Sequence, residues 1–486
     1  MIDKPGREAE PNPDRARTTL AIGAICAVAG LVLLGLGFVF TRRLIDFPVY
    51  YAAGRSLIAG RMDLYAPDFA LGPLMDYRYP PFFLVALMPL WRLPYGVAGY
   101  VWYLISIICI AGSVFSAGQG AGLFHLKQKA GTGENSPVLA GRNTAMAWTV
   151  VAVAVAPYFV MNLHYGNAEL LTIALLFTGL FLLIRGSQIS GAMAVALSIS
   201  IKVTPAFALV YFALKRRWKS VVLVLLMVAL INLAPAAYFG FNRNTGLIGA
   251  WYRHVVQNQS FHEENGPVNL SLKGQLRRYL SQVDYGQRVD KDKDYPSINI
   301  ARFPAGKLRV LWLVLEGVLS LIIAGFLIFR QDRRPADSSH QVRGPLLQSA
   351  DQPTTPTEPD GSTNAVVSTR SKDSRNHDSL ELAAIICWML IAEPLTSKIY
   401  FIALLWPIAS LARYAWSESS RQARRLRGLL ISLAAVNFAL PLVPGRLVQR
   451  ALLVVGTDFW LTCLLLGLLL WVLNSVRSAI PVADAA

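Results

Sequence analysis

Apolar residues run along this chain in blocks too unbroken for strands and too long for the one-sided stripe of a surface helix. The first, TTLAIGAICAVAGLVLLGLGFVF at about 18–40, is long enough to cross a bilayer as a helix. Comparable windows recur at about 95–117, 144–162, 167–185, 218–240 and 307–330, and four more fall between about 379 and 473. Together they predict an all-α integral membrane protein, a polytopic helical bundle with about ten full spans.

Two apolar pieces break the pattern. PPFFLVALMPLW (80–91) is too short to span, and GAMAVALSISIKVTPAFALVYFAL (191–214) is interrupted by Lys202 and Pro205. Broken helices are tolerated at membrane depth only where they pack in protein or line a cavity, so both read as short re-entrant or juxtamembrane helices.

Composition agrees with that pattern: 54% of the 486 residues are hydrophobic and 15% charged, which excludes an ordinary soluble domain. The formal charge of +17 does not point to nucleic acid, because Lys and Arg gather at the ends of apolar blocks and not on one face. KRRWK (215–219), RQDRR (330–334) and RYAWSESSRQARRLR (413–427) mark the cytoplasmic side. Residues 41–94, HYGN (164–167), 241–306 and EPLTSK (393–398) then face the other compartment. Arg42 and Arg43 resist the rule, lying outside next to the first span; holding an anionic headgroup is one job for them.

The expected layout is a cytoplasmic tail (1–17), a transmembrane catalytic module (18–330) with external loops at about 41–94 and 241–306, and a C-terminal transmembrane module (379–474) before a second cytoplasmic tail (475–486). Between the modules, 331–378 is rich in Ser, Thr, Pro and Asp and reads as a disordered cytoplasmic linker. Cys26, Cys109, Cys387 and Cys463 all fall inside apolar blocks without CxxC spacing, so neither a disulfide framework nor a zinc site is indicated. VDKDKDYP (289–296) contains an Asp-x-Asp pattern, but lysines alternate with its acids in a long polar loop; it reads as a solvated loop tip, and no metal or cofactor is expected.

Polar residues that interrupt apolar ends converge on the external side: Asp46 with Tyr50 and Tyr51, DYRYPP (76–81) with Arg78 and Tyr79, NLHYGNAE (162–169) with His164 and Asn167, Lys202, NQSFHEENGPVNLSLKGQLRR (258–278) with Asn258, Gln259, Asn269 and Ser271, and Glu393 with Lys398. Ionisable groups are costly at the lipid boundary, so their convergence marks one candidate site at the top of the bundle. Asp46 has two readings. It can cap the helix that starts at PVYYAAG, or it can accept a proton as a general base.

The ordered blocks DFPVYYAAGRSLIAGRMDLY, YRYPPFFLVALMPL, a glycine-amide turn before a span, SIKVTPAFALVYFALKRRWK and NLSLKGQLRR resemble glycosyltransferase family 87, polyprenyl-phosphate-sugar-dependent mannosyltransferases of the GT-C architecture. The resemblance covers most of the chain from about 18 to 415, the linker excepted. It implies transfer of mannose or another hexose from a polyprenyl-phosphate sugar to a hydroxyl of a glycolipid or polysaccharide precursor, on the extracytoplasmic side of the inner membrane. By position it implies Asp46 as general base, and it offers Lys202, Lys398, Arg78 and Arg42 as cations for the departing phosphate. The chain departs from the family where EPLTSKIYF replaces a Ser-Pro-x-Ser-Trp-x-His block and GNAE replaces Gly-Gln-x-Asn. A transporter or flippase for a lipid-linked substrate is the alternative; the lack of an internal repeat and the wide external loop favour the enzyme.

Overall fold

The computed structural model describes residues 30–61, 63–65, 77–126, 137–259, 266–285, 295–328 and 361–478. Every regular element among them is helical. In chain order these are α1 (30–40), α2 (Phe47–Ile58), α3 (Pro81–Ala86), α4 (Met88–Trp91), α5 (Tyr95–Ala121), α6 (Pro137–Tyr165), α7 (Glu169–Ile184), α8 (Gln188–Ile201), α9 (Phe207–Leu214) and α10 (Trp218–Leu233). They continue with α11 (Ala236–Phe239), α12 (Phe241–Trp251), α13 (Leu272–Leu280), α14 (Ala305–Ile328), α15 (Gly361–Ala392), α16 (Leu405–Ser417), α17 (Arg421–Ala439), α18 (Arg446–Val455) and α19 (Thr457–Ser478).

Among the described residues, seven helices are long and apolar enough to cross a membrane, and three shorter apolar ones (Glu169–Ile184, Gln188–Ile201 and Thr204–Leu214) lie between them. The window at 167–185 thus folds as the 16-residue α7, paired in a tight hairpin with α8. The interruption at Lys202 is a real break: its backbone is extended, a short 3-10 turn Thr204–Ala206 follows, and α9 leads away. PPFFLVALMPLW forms the two short helices α3 and α4. Of the linker segment, residues 361–378 belong to the start of α15, while 329–360 lie outside the described residues, as do 1–29 and 479–486.

Outward faces carry apolar side chains: Val310 and Leu321 on α14 and Val222 and Leu230 on α10 are exposed, as lipid contact requires. Lys398–Ser417, by contrast, is almost wholly enclosed, with Trp406 and Trp416 at the centre of the main core. The α7–α8 pair packs at small residues. A Cβ on Gly179 would fall 2.8 Å from the Val195 amide nitrogen and 2.9 Å from the Gly191 carbonyl oxygen, so only glycine permits that backbone approach.

A buried ionic cluster fastens α15 to the α9–α10 turn. Lys215 pairs with Glu381 at 2.7 Å and donates to the Leu327 carbonyl, and Arg217 pairs with Asp378 at 2.6 Å. His377 lies 3.4 Å from Glu381. The cluster sits beyond the far end of α9 from Lys202.

Gly179→Ala should lower stability by about 1–3 kcal/mol, because two of the three nearest opposing atoms are backbone and cannot yield. Gly317→Ala, on α14 with no neighbour within 4 Å, should leave the melting temperature in detergent essentially unchanged. Equal melting of the two variants would show that the α7–α8 approach is not tight.

Candidate active site

The site is built where four helix ends meet. The turn between α6 and α7 reads Tyr165-Gly166-Asn167. Gly166 adopts φ +62°, and a Cβ there would press on Leu44 and Phe47. This fit lets the Tyr165 carbonyl accept from the amides of Ile45 and Asp46, at 3.2 and 2.8 Å, while Trp102 Nε1 donates to the Gly166 carbonyl at 2.9 Å. The backbone around Asp46 is therefore pinned to the α6–α7 turn.

Asp46 precedes α2, yet its side chain makes no capping hydrogen bond to that helix. Its Oδ2 instead accepts a hydrogen bond from the Asn167 amide, while Asn167 Oδ1 accepts from the Glu169 backbone N–H at 2.7 Å. Asn167 thus joins Asp46 to the start of α7. Burial pushes the Asp46 carboxyl above the ordinary carboxylate range, against the lowering pull of Asn167, Arg78 and Lys202.

Lys202 enters from the break between α8 and α9. Its Nζ lies 2.7 Å from Glu169 Oε2 and 2.9 Å from the centre of the Tyr400 ring. Glu393, in the loop after α15, accepts from the Thr204 hydroxyl at 2.6 Å, and its Oε2 is buried without a partner. Burial raises its pKa to about 7, against the lowering charge of Lys202. Three carboxylates, one lysine and Arg78 therefore share this corner.

Aromatic rings form the floor. Tyr50 and Tyr79 share a 3.0 Å hydrogen bond between their hydroxyls, and their rings meet edge to face. Phe83 and Trp102 pack beneath Tyr50. Tyr50, one position before Tyr51, points into the cluster because adjacent helical residues diverge by roughly 100°. Tyr51 instead donates to the Leu93 carbonyl at 2.8 Å and packs on Tyr95.

The remaining sequence candidates separate. His164 is exposed, and its ring meets that of Tyr165 edge-on. Asn269 and Ser271 both donate to the Pro394 carbonyl at 3.1 Å and hold the loop that carries Glu393. Lys398 lies 3.7 Å from Asp458, which accepts from Tyr158 at 2.7 Å. The side chains of Asn258 and Gln259 lie outside the described residues, as do 286–294 with the Asp-x-Asp pattern. Thr204 and Tyr400 lie in this corner although the sequence did not single them out; each sits at the edge of an apolar block and reads there as packing. Among the described residues one group has metal-ligand proximity, His377, Asp378 and Glu381, but both carboxylates are ion-paired to Lys215 and Arg217 and lie away from this corner.

Comparison with known proteins adds a family match. The model of glycosyltransferase family 87 matches residues 77–342, a stretch that begins downstream of Asp46. Two curated proteins named polyprenol-phosphate-mannose-dependent alpha-(1-2)-phosphatidylinositol pentamannoside mannosyltransferase are similar to the chain. The one from Mycolicibacterium smegmatis is 28% identical over 178 residues, 35% of this chain and 38% of that protein. The one from Mycobacterium tuberculosis is 28% identical over 204 residues, 41% of each. The chain therefore spans about two fifths of the length of these relatives. No solved structure matches it significantly.

Glu393 gives the site a stability signature. Its carboxyl holds a proton in the folded state up to pH of about 7, whereas in the unfolded chain it ionises near an ordinary glutamate value. Between those values the folded state binds the extra proton, so this group's contribution falls as pH rises, by up to roughly 3 kcal/mol, and is constant above. Glu393→Gln should remove that fall, seen as the difference between the melting temperatures of the two proteins from pH 4.5 to 8. Parallel curves would mean Glu393 titrates normally.

Proposed function

The chain belongs to glycosyltransferase family 87, and from that premise we propose that it is a membrane glycosyltransferase moving mannose or another hexose from a polyprenyl-phosphate donor to a lipid-linked acceptor hydroxyl. The relatives' names favour mannose and a glycolipid acceptor. Basic clusters at 215–219, 330–334 and 413–427 favour the extracytoplasmic side for Asp46, Asn167, Lys202 and Glu393, which lie at the opposite ends of the intervening helices.

The observation that carries this reading is the placement of Asp46. Its carboxylate is fixed by Asn167 and by the pinned backbone, with no capping duty, beside an aromatic floor suited to a sugar face. An acceptor hydroxyl is a weak nucleophile until a positioned base takes its proton, and a carboxylate shifted upward by burial is a better acceptor for that proton than a solvated one. The oxygen then attacks the anomeric carbon directly, and the carbon–oxygen bond to the lipid phosphate breaks. Positive charge developing on the sugar ring is favoured by the ionised carboxylate of Glu169. Lys202, already paired with Glu169, holds that carboxylate toward the sugar, so its role is positioning.

Asp46→Asn should lower the transfer rate by 10²–10⁴-fold, roughly the span of general-base catalysis, with donor binding kept. Purified protein, a synthetic polyprenyl-phosphate mannose and an acceptor-lipid extract, read by mass spectrometry, measure it. Retention of a tenth of the rate would sink the base assignment.

The acid limb of the rate carries a second test. Transfer needs ionised Asp46, so the rate rises with pH through its pKa; Asn167→Ala removes a contact that lowers that pKa and should move the limb to higher pH. A limb that stays in place would separate Asn167 from the titrating group.

For sidedness, in a background without the four native cysteines, a membrane-impermeant thiol reagent should reach His164→Cys from outside whole cells but not Lys219→Cys. The reverse pattern would invert the topology.

A further inference from the structure

We propose that Gln275 and Arg278, on the inward face of α13, form a binding site for a phosphate group of a lipid substrate. The inference rests on the glycosyltransferase reading and adds a ligand site to it.

The starting point is an ionic group without a counter-ion among the described residues. Arg278 is 3% exposed, and Nη1 donates to the Pro267 carbonyl at 2.8 Å. Its Nε and Nη2 have no hydrogen-bond partner among the described residues, and no described carboxylate pairs with it. Those two atoms form one edge of the guanidinium, the edge whose two parallel N–H groups match two oxygens of a phosphate or carboxylate. The edge with fixed geometry is thus the one left open, while Nη1 is used to hold the side chain.

One turn away, Gln275 repeats the pattern. It is 2% exposed, and among the described residues neither its amide nitrogen nor its amide oxygen has a hydrogen-bond partner. Residues three apart on a helix are neighbours on one face, so the Gln275 amide and the Arg278 fork share a side of α13. Gln275 is held there by Gly456, where a Cβ would overlap its amide. Two donors from arginine and one amide N–H2 suit an anion with three acceptor oxygens better than a carboxylate with two.

Loose placement of α13 does not explain the open atoms. Ser271 caps the helix by accepting from the Gly274 N–H at 3.1 Å. The Tyr279 hydroxyl donates to the Val455 carbonyl at 3.0 Å, and the carbonyls of Tyr279 and Leu280 accept from Ile300 and Phe303 at 2.8 and 2.7 Å. The same segment grips the Pro394 carbonyl, next in sequence to Glu393, which connects this face to the active site. Burial also lowers the Arg278 pKa to about 10, as expected for a cation kept from water with no anion beside it. Buried unpaired charge is rare unless a ligand supplies the partner.

Both lipids of the proposed reaction can bring phosphate: the polyprenyl-phosphate donor, or a phosphodiester on a glycolipid acceptor. Full-length protein in nanodiscs, titrated separately with synthetic polyprenyl phosphate and with phosphatidylinositol, and with polyprenol and diacylglycerol as uncharged controls, distinguishes them. Arg278→Gln should weaken binding of one phosphate lipid at least tenfold and leave its uncharged control unchanged; the lipid affected identifies the source. Because Arg278→Gln also removes the bond to the Pro267 carbonyl, Gln275→Glu is the deciding variant. It places a carboxylate beside Arg278, so the protein should melt at or above the wild-type temperature yet lose phosphate-lipid binding at least tenfold. Gln275→Glu binding both phosphate lipids as wild type does, or wild type preferring neither phosphate lipid to its uncharged control, would overturn the site. Transfer activity of the wild-type protein, measured alongside, reports on the glycosyltransferase reading independently: turnover with unchanged binding in the variant removes only this subsite.

Discussion

A carboxylate withdrawn from water has to be given a fixed hydrogen-bond donor, and in this protein the Asn167 amide meets that demand for Asp46 while the Tyr165 carbonyl holds the Asp46 backbone N–H. Everything nearby follows from that arrangement. Asn167 is placed by a left-handed glycine, whose turn fits only because Leu44 and Phe47 lie against it. Phe47 in turn anchors the aromatic cluster of Trp91, Trp102 and Tyr95. Fixing one acid therefore fixes the floor of the pocket, and the same backbone bonds that hold Asp46 free its side chain from capping α2.

The other side of the pocket depends on a broken helix. A lysine inside a continuous apolar helix would face lipid or a neighbour's flank, whereas the extended residue between α8 and α9 turns Lys202 toward Glu169 and Tyr400. Pairing the lysine with Glu169 spends its charge inside the corner, beside the carboxyls of Asp46 and Glu393. Phosphate is better served by Arg278, which lies one structural step away through Asn269, Ser271 and Pro394.

Much of this was written in the sequence, for reasons that can be named. Long apolar runs leave little choice but membrane helices, a lysine and a proline inside such a run signal a break, and an acid just past the first block arrives at the lipid boundary by length alone. Asn167 was legible because an amide after glycine marks a turn. Tyr50 and Tyr51 were not separable, since nothing in the pair says which faces inward. Nor was the duty of Asn269 and Ser271 visible: they hold a carbonyl more than a hundred residues away, and only tertiary contact reveals that partner. Glu393 and Tyr400 stood in a block that departs from the family pattern, so their meeting with Lys202 needed coordinates.

The ionic cluster joining α15 to the α9–α10 turn bears on how this protein can change over time. Lys215 with Glu381, and Arg217 with Asp378, define by charge where α15 stands relative to α9, and α15 delivers Glu393 to its upper end as α8 and α9 deliver Lys202. These four side chains thus add a charged register to the packing of α15 and to its Trp388–Glu316 bond with α14. Because loop-closure cost grows only slowly with length, the length of chain between α14 and α15 matters little to where Glu393 and Lys202 stand.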